Sequence, residues 1–272
     1  MQYLYLKIPV PHNQQDILIA ELYDSGFDSF EQEYNEIKAY IQKDAYNEAL
    51  TMEVLKKMNI LTPVVQEELP EENWNSVWES NFNPVEVGEE LLVRANFHPP
   101  NPKFNKEIII TPQMSFGTGH HATSFLMLNT MLTMSFNGLH VLDVGCGTGI
   151  LAIYAKMENA SKVVGVDNDH WAYKNAISNA KLNKVQNIEW IEGTISDVPL
   201  FQYDVVIANI NKNVIKKELT TYSSYLKNGG ELLLSGFFLE DVSEINGIAF
   251  NENLTLKRTE HKDDWGLLRY TK

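Results

Sequence analysis

Apolar and polar positions alternate over residues 2–10, where Tyr3, Leu4, Tyr5, Leu6 and Ile8 lead into Pro9 and Pro11. That is the pattern of a strand stopped by proline. Over 13–25 the period lengthens: Ile17, Leu18, Leu22 and Tyr23 fall at helical spacing and Gly26 closes the run. Residues 27–30 and 37–41 read as short strands, 45–58 as a second helix and 60–65 as a further strand. The order β-α-β-β-α-β predicts a small α+β domain over residues 1–66, of the ferredoxin-like, split βαβ kind. Such sheets are common binding platforms, so this fold alone names no activity.

The stretch EELPEENWNSVWESNFNPVEVG (67–88) is acidic and interrupted by Pro70 and Pro84, and a connector is expected over 67–99. Trp74, Trp78 and Phe82 recur every four residues and share one face of a helix. They suit a connector pinned to a neighbouring domain; a substrate-facing aromatic patch is the alternative.

From residue 139 the rhythm changes. HVLDVGC (140–146), KVVGVD (162–167), IEWIEG (188–193), YDVVIANI (203–210) and GELLLSGFF (230–238) read as buried strands. Between the first three lie helical patterns at 150–157 and 170–182, the latter with Ala172, Ala176 and Ala180 four apart. The C-terminal LTLKRTEHKDDWGLLRYTK predicts two strands joined by a charged turn. Alternating strands and helices predict an α/β, doubly wound, Rossmann-like domain over 100–272, with an antiparallel strand at the end compatible with that class.

Composition narrows the function classes. The 272 residues suffice for this domain plus the smaller one, and 44% hydrophobic with 21% charged residues is ordinary for a folded soluble protein. No apolar run approaches the roughly 18 residues a membrane helix needs, and MQYLYLKIPVPHNQQ is not a secretory signal by pattern. Cys146 is the only cysteine, which leaves no internal disulfide or thiolate metal cage. A cytoplasmic protein is expected, with no membrane association. The net charge of −14 and the lack of a Lys/Arg cluster give no expectation of direct nucleic-acid binding. Acidic runs at Glu31, Glu33 and Glu36 and at Glu67, Glu68, Glu71 and Glu72 read as solvated surface, or as attraction for a basic partner.

Three strand ends carry candidate chemistry, in the place where open α/β sheets bind ligands. Gly145, Gly147 and Gly149 stand in VLDVGCGTGIL with G-x-G-x-G spacing. This is not the G-x-G-x-x-G of dinucleotide folds, and no lysine follows to cradle a triphosphate. Asp167 lies 22 residues after Gly145, placed either to accept hydrogen bonds from ribose hydroxyls or to cap the next helix, as Asp169 also could. Asn209, in VIANINK, is either a turn former or a neutral acceptor able to orient an amine. Ahead of these lies TPQMSFGTGHHATS (111–124), whose adjacent histidines lack the spacing of a metal site.

Together these motifs resemble class I S-adenosylmethionine-dependent methyltransferases. FGTGHHATS is similar to the FGTGxHxTT signature of the ribosomal protein L-eleven methyltransferases. DVGCGTGILAI, GVDNDHWAYKNAISNA, ANI and LLLSGFF look like that family's motifs in the same order, over roughly residues 70–272. The resemblance implies S-adenosylmethionine as cofactor. It implies cofactor contacts from Phe116, Gly117, Thr118, Gly119, His121, Thr123 and Ser124 in a closing loop, and from Asp143, Gly145, Gly147, Gly149, Asp167 and Asn209 at the strand ends. Asn209 would be the catalytic residue, His120 or His121 a structural part of the loop or a general base. The implied reaction methylates lysine ε-amines and the N-terminal α-amine of ribosomal protein L-eleven, recognised by the small domain, with the enzyme a monomer. Ser124 and Asn211 depart from the family's second threonine and leucine. RNA or small-amine methylation, or a non-catalytic cofactor-binding factor on the ribosome, are the alternatives.

Overall fold

The computed structural model describes residues 3–60, 65–68, 82–111 and 117–272. The chain divides into two compact units, Met1–Asn81 and Phe82–Lys272. Residues 82–99, expected within the connector, thus fold with the larger unit. Trp74, Trp78 and Phe116 lie outside the described residues.

The smaller unit runs β1 (Tyr3–Pro9), α1 (His12–Asp24), β2 (Ser29–Glu33), β3 (Glu36–Gln42), α2 (Glu48–Lys57) and β4 (Val65–Glu68). Its sheet order is β2-β3-β1-β4 with every neighbour antiparallel, the split βαβ arrangement the alternation predicts. Leu4, Leu6 and Ile8 of β1 and Ile37, Ala39 and Ile41 of β3 are buried in one core with Leu18, Leu22 and Leu55 from the helices. Tyr5 and Tyr40, at alternate positions, pair across the strands and stack at 5.3 Å. The last strand falls at 65–68 rather than 60–65; residues 61–64 lie outside the described residues.

In the larger unit β5 (Val85–Val87), β6 (Leu91–Arg94) and β7 (Lys106–Ile109) form a three-stranded sheet. Strands of three or four residues are too short for alternation to reveal, and the sequence pattern missed them. Helix α3 (Ala122–Met131) follows, then β8 (His140–Val144), α4 (Ile150–Met157), β9 (Lys162–Asp167), α5 (His170–Leu182) and β10 (Ile188–Glu192). Next come β11 (Tyr203–Asn209), α6 (Lys212–Tyr225), β12 (Leu226–Phe238), α7 (Val242–Asn251), β13 (Thr255–Lys262) and β14 (Trp265–Thr271). The seven-stranded sheet has the order β10-β9-β8-β11-β12-β14-β13. β10 through β12 are parallel, and β14 and β13 close the edge antiparallel.

Both faces of this sheet are covered. Val141, Val163, Val205, Ile207 and Leu233 pack with α3 and α4 through Leu126, Met127, Ile150 and Ile153. Their neighbours Leu142, Val144, Val164, Val206 and Leu234 pack on the other side with Ile215 and Leu219 of α6 and Ile245 of α7. Burial on two faces is why these strands read as continuous apolar runs rather than alternating ones. Strand order reverses between β8 and β11, and the loops leaving their carboxyl ends part there.

Ile210, the residue after β11, occupies that gap. A Cβ at Gly145 would come within 2.3 Å of Ile210 Cγ2, and one at Gly236 within 2.1 Å of the Ile210 carbonyl oxygen. Gly236 also has φ +99°, where a side chain is strained. Gly236→Ala is therefore expected to destabilise by more than about 3 kcal/mol. Gly247→Ala, inside α7 with nothing within 4 Å of the added carbon, should stabilise by about 0.5–1 kcal/mol. Urea unfolding of the two variants checks both signs.

Candidate active site

A cavity of about 890 Å³ opens at the switch point between β8 and β11. The expected Gly117, His121, Thr123, Gly145, Gly147, Asp167 and Asn209 all line it. Thr118, Gly119, Ser124, Asp143 and Gly149 do not.

The turn after β8 hangs on the end of β9: the Gly145 and Cys146 N–H groups both donate to the Val166 carbonyl, at 2.8 and 3.0 Å. Asp167, one residue on, accepts from Gly147 N–H through Oδ2 at 2.8 Å and from Asp169 N–H through Oδ1 at 2.9 Å. Asp169, not Asp167, caps α5, accepting from Ala172 N–H at 2.8 Å. The ambiguity between the two acids is thereby resolved: one ends the strand and braces the glycine turn, the other starts the helix.

Asn209 ends β11 and donates through Nδ2 to Ser124 Oγ at 3.4 Å. Its Oδ1 is buried and has no hydrogen-bond partner among the described residues. A buried acceptor left open is costly, by about 1–3 kcal/mol, and this one belongs to a cavity-lining residue. Ser124 holds the carboxamide through its hydroxyl, so the missing methyl of the expected threonine leaves this contact in place. Asn211, the other departure, caps α6, its Oδ1 accepting from Val214 N–H at 3.2 Å, a bond leucine cannot make.

The two histidines have structural partners. His121 caps α3: its Nδ1 faces the Thr123 hydroxyl at 2.9 Å and Thr123 N–H at 3.4 Å. Burial holds its pKa below the ordinary histidine range. His120 joins Thr118 Oγ1 through Nδ1 at 3.2 Å and the Asn83 carbonyl through Nε2 at 2.7 Å, and Phe82 lies over its ring at 4.2 Å. The loop is also tied to the glycine turn, since the Thr148 hydroxyl donates to the Gly117 carbonyl at 2.5 Å. Asn179 of α5 completes the brace, donating to the Thr148 carbonyl at 2.9 Å and accepting from Thr111 N–H at 2.9 Å.

Pattern reading missed Trp171 and Trp265, which also line the cavity. Trp171 is 71% exposed beside Asp167 and Asp169, and an aromatic on the first turn of α5 was the available signal. Trp265 had none, because its partners come from distant parts of the chain.

Asp143 is 1% exposed, and its Oδ2 accepts from Ala152 N–H in α4 at 3.1 Å. Burial pushes its pKa up to about 7, opposed by that hydrogen bond and assisted by the charge of Asp167. Cys146 lines the cavity as a neutral thiol, since burial and then Asp143 and Asp167 push its pKa well up. In the unfolded chain Asp143 ionises near pH 4; in the fold it holds its proton until about pH 7. Between those values the folded state binds more protons, so this residue's contribution to stability falls as pH rises. Asp143→Asn should remove that decline, which urea denaturation across pH 4.5–7.5 will show as a flatter profile than the parent's.

Residues 10–272 match the family model described as Ribosomal protein L11 methyltransferase (PrmA). A ribosomal protein L11 methyltransferase of Porphyromonas gingivalis is 43% identical over 263 residues, covering 94% of this chain and 90% of that one. Its counterpart in Bacteroides fragilis is 36% identical over 271 residues, covering 96% and 95%. Among solved structures, the ribosomal protein L11 methylase of Lactobacillus delbrueckii subsp. bulgaricus superposes with TM-score 0.65 at 23% identity, over 70% of this chain and 98% of that one. A methyltransferase from Pyrococcus furiosus gives 0.52 at 19%, over 61% and 89%. These two share the fold. The family model and the two relatives, each spanning nearly the whole sequence, carry the wider conclusion: this chain belongs to the ribosomal protein L11 methyltransferase family.

Proposed function

We propose that this protein transfers methyl groups from S-adenosylmethionine to amine nitrogens of ribosomal protein L11, both lysine ε-amines and the N-terminal α-amine. The observation that carries the reading is that Asn209, whose buried Oδ1 has no hydrogen-bond partner among the described residues, lines the same cavity as the Gly145–Gly147 turn and Asp167. The residues present fit that cofactor. Gly145 and Gly147 leave backbone bare for the methionine portion, Asp167 ends its strand where ribose hydroxyls can reach a carboxylate, and Trp171 offers a broad apolar ring beyond it.

When bound, S-adenosylmethionine supplies a methyl carbon already activated by its sulfonium. The protein's task is then alignment, which contributes roughly 7–11 kcal/mol in favourable cases. The Asn209 Oδ1 accepts an N–H of the incoming amine and aims its lone pair. The bound cofactor would give up its methyl carbon and keep the S–C bonding pair on sulfur, and the methylated ammonium held at Asn209 would release its proton to solvent. A neutral carboxamide orients the amine without holding it as the ammonium, as a carboxylate would. Lysine enters with a pKa of about 10.4 and an α-amine with about 7.7–8.0; the apolar side chains of Ile210 and Leu151 in the cavity wall desolvate either and favour the neutral form. His121 is committed to capping α3 and serves the loop rather than proton transfer.

The unit at residues 1–66 is read as the platform that recognises the protein substrate, and 100–272, preceded by the connector, as the catalytic domain. A chain of net charge −14 favours a basic protein over nucleic acid. No helix among the described residues is long and apolar enough to cross a membrane; action in the cytoplasm as a monomer is part of the proposal.

Labelled S-adenosylmethionine offered to isolated ribosomal proteins, intact ribosomes and protein-free RNA tests the reading. Label confined to one ribosomal protein with the mass of L11 supports it; label in RNA, or in none of the three, overturns the substrate assignment. Asn209→Ala should lower kcat at least 100-fold while changing S-adenosylmethionine Kd less than about threefold, measured by single-turnover transfer and calorimetry. Equal loss in both would remove Asn209 from the acceptor role.

A further inference from the structure

The cavity has an aromatic wall that the glycine turn and Asn209 leave unexplained. In the order β9-β8-β11-β12-β14, Asp167 and Trp265 lie on opposite sides of Asn209, each two strands away. At about 4.8 Å per strand that is roughly 10 Å in either direction. A nucleoside seated at Asp167 therefore leaves the Trp265 side to the other reactant.

Backbone pairing builds the wall. Trp265 is opposite Phe238 in the β12–β14 register, and their ring centroids are 4.4 Å apart with planes at 31°. His121 meets the indole at 4.5 Å and 70°, fixed from behind by its capping bonds to Thr123. The Leu239 N–H donates to the Asp264 carbonyl at 2.8 Å, anchoring the turn that delivers Trp265. Phe238, 45% exposed, stands at the edge of the cluster.

We propose that Trp265, supported by Phe238 and His121, is the surface against which the acceptor's cationic nitrogen packs, and that it selects for methylated ammonium groups. The inference rests on the amine-methylating function above. An ammonium beside an indole face is attracted by the ring quadrupole, and aromatic surfaces are suited to quaternary ammonium ions. Each added methyl removes an N–H that Asn209 can hold and adds apolar surface that Trp265 can cover. Later transfers to one nitrogen therefore depend more on the tryptophan than the first does.

Two measurements test this on the full chain. Ligand-detected NMR titration with choline and with its neutral isostere 3,3-dimethylbutan-1-ol, in the presence of S-adenosylhomocysteine, reads the cation preference directly. The parent and Trp265→Phe should bind choline at least tenfold tighter than the alcohol. Trp265→Leu should lose the preference, and Phe238→Leu, altered at a half-exposed ring, should weaken it. An unchanged preference in both leucine variants overturns the proposal. Mass spectrometry of the methylated protein then reads the product series: Trp265→Leu should slow the later transfers at least tenfold more than the first. Equal loss at every step overturns the wall's selectivity. Absence of any protein methylation by the parent would instead refute the amine reading, whereas the choline titration judges the wall independently.

Discussion

Ile210 is the residue on which the site's geometry depends. It leaves β11 between two strand ends that have no side chains to oppose it, Gly145 on β8's turn and Gly236 in β12, and its own N–H donates to the Ser235 carbonyl at 3.1 Å. With Ile210 seated there, Asn209 is held at the cavity by backbone rather than by a flexible side chain. The proposed chemistry asks for an amide oxygen at a fixed place, and placement on a strand end supplies it with less freedom than a loop would.

Buried polar groups hold the remaining wall. Thr148, Asn179 and Asp143 are all almost fully buried, and each fixes a backbone group of the turn, the loop or a helix start. Such groups are costly unless partnered. Here Thr148 and Asn179 tie the backbone at Gly117 and Thr111 to the glycine turn, and Asp143 ties β8 to the start of α4.

Much of this was legible in the sequence, for identifiable reasons. The helices at 150–157 and 170–182 and the strand at 162–167 coincide with the observed elements because period and caps agree there. Gly145, Asp167 and Asn209 were visible because each closes an apolar run. The three short strands around Val93 were not, since too few residues show a period. The aromatic wall was hidden for a different reason: His121, Phe238 and Trp265 are separated by 117 and 27 positions in the chain, and only the antiparallel return of β14 brings them together. Capping by Asn211 was also missed, since a comparison with family pattern records it only as a lost leucine.

The outermost strand, β13, has a consequence for solubility. It exposes Lys257 and Lys262 to solvent, with Arg258 ion-paired to Glu260 of the same strand, whereas the protein as a whole is strongly acidic. An uncovered sheet edge is a template on which another chain can polymerise, and lysine along it is a recognised guard. Two copies approaching edge to edge bring these cations against one another, and that repulsion discourages fibre-like stacking while the rest of the acidic surface keeps the molecules dispersed.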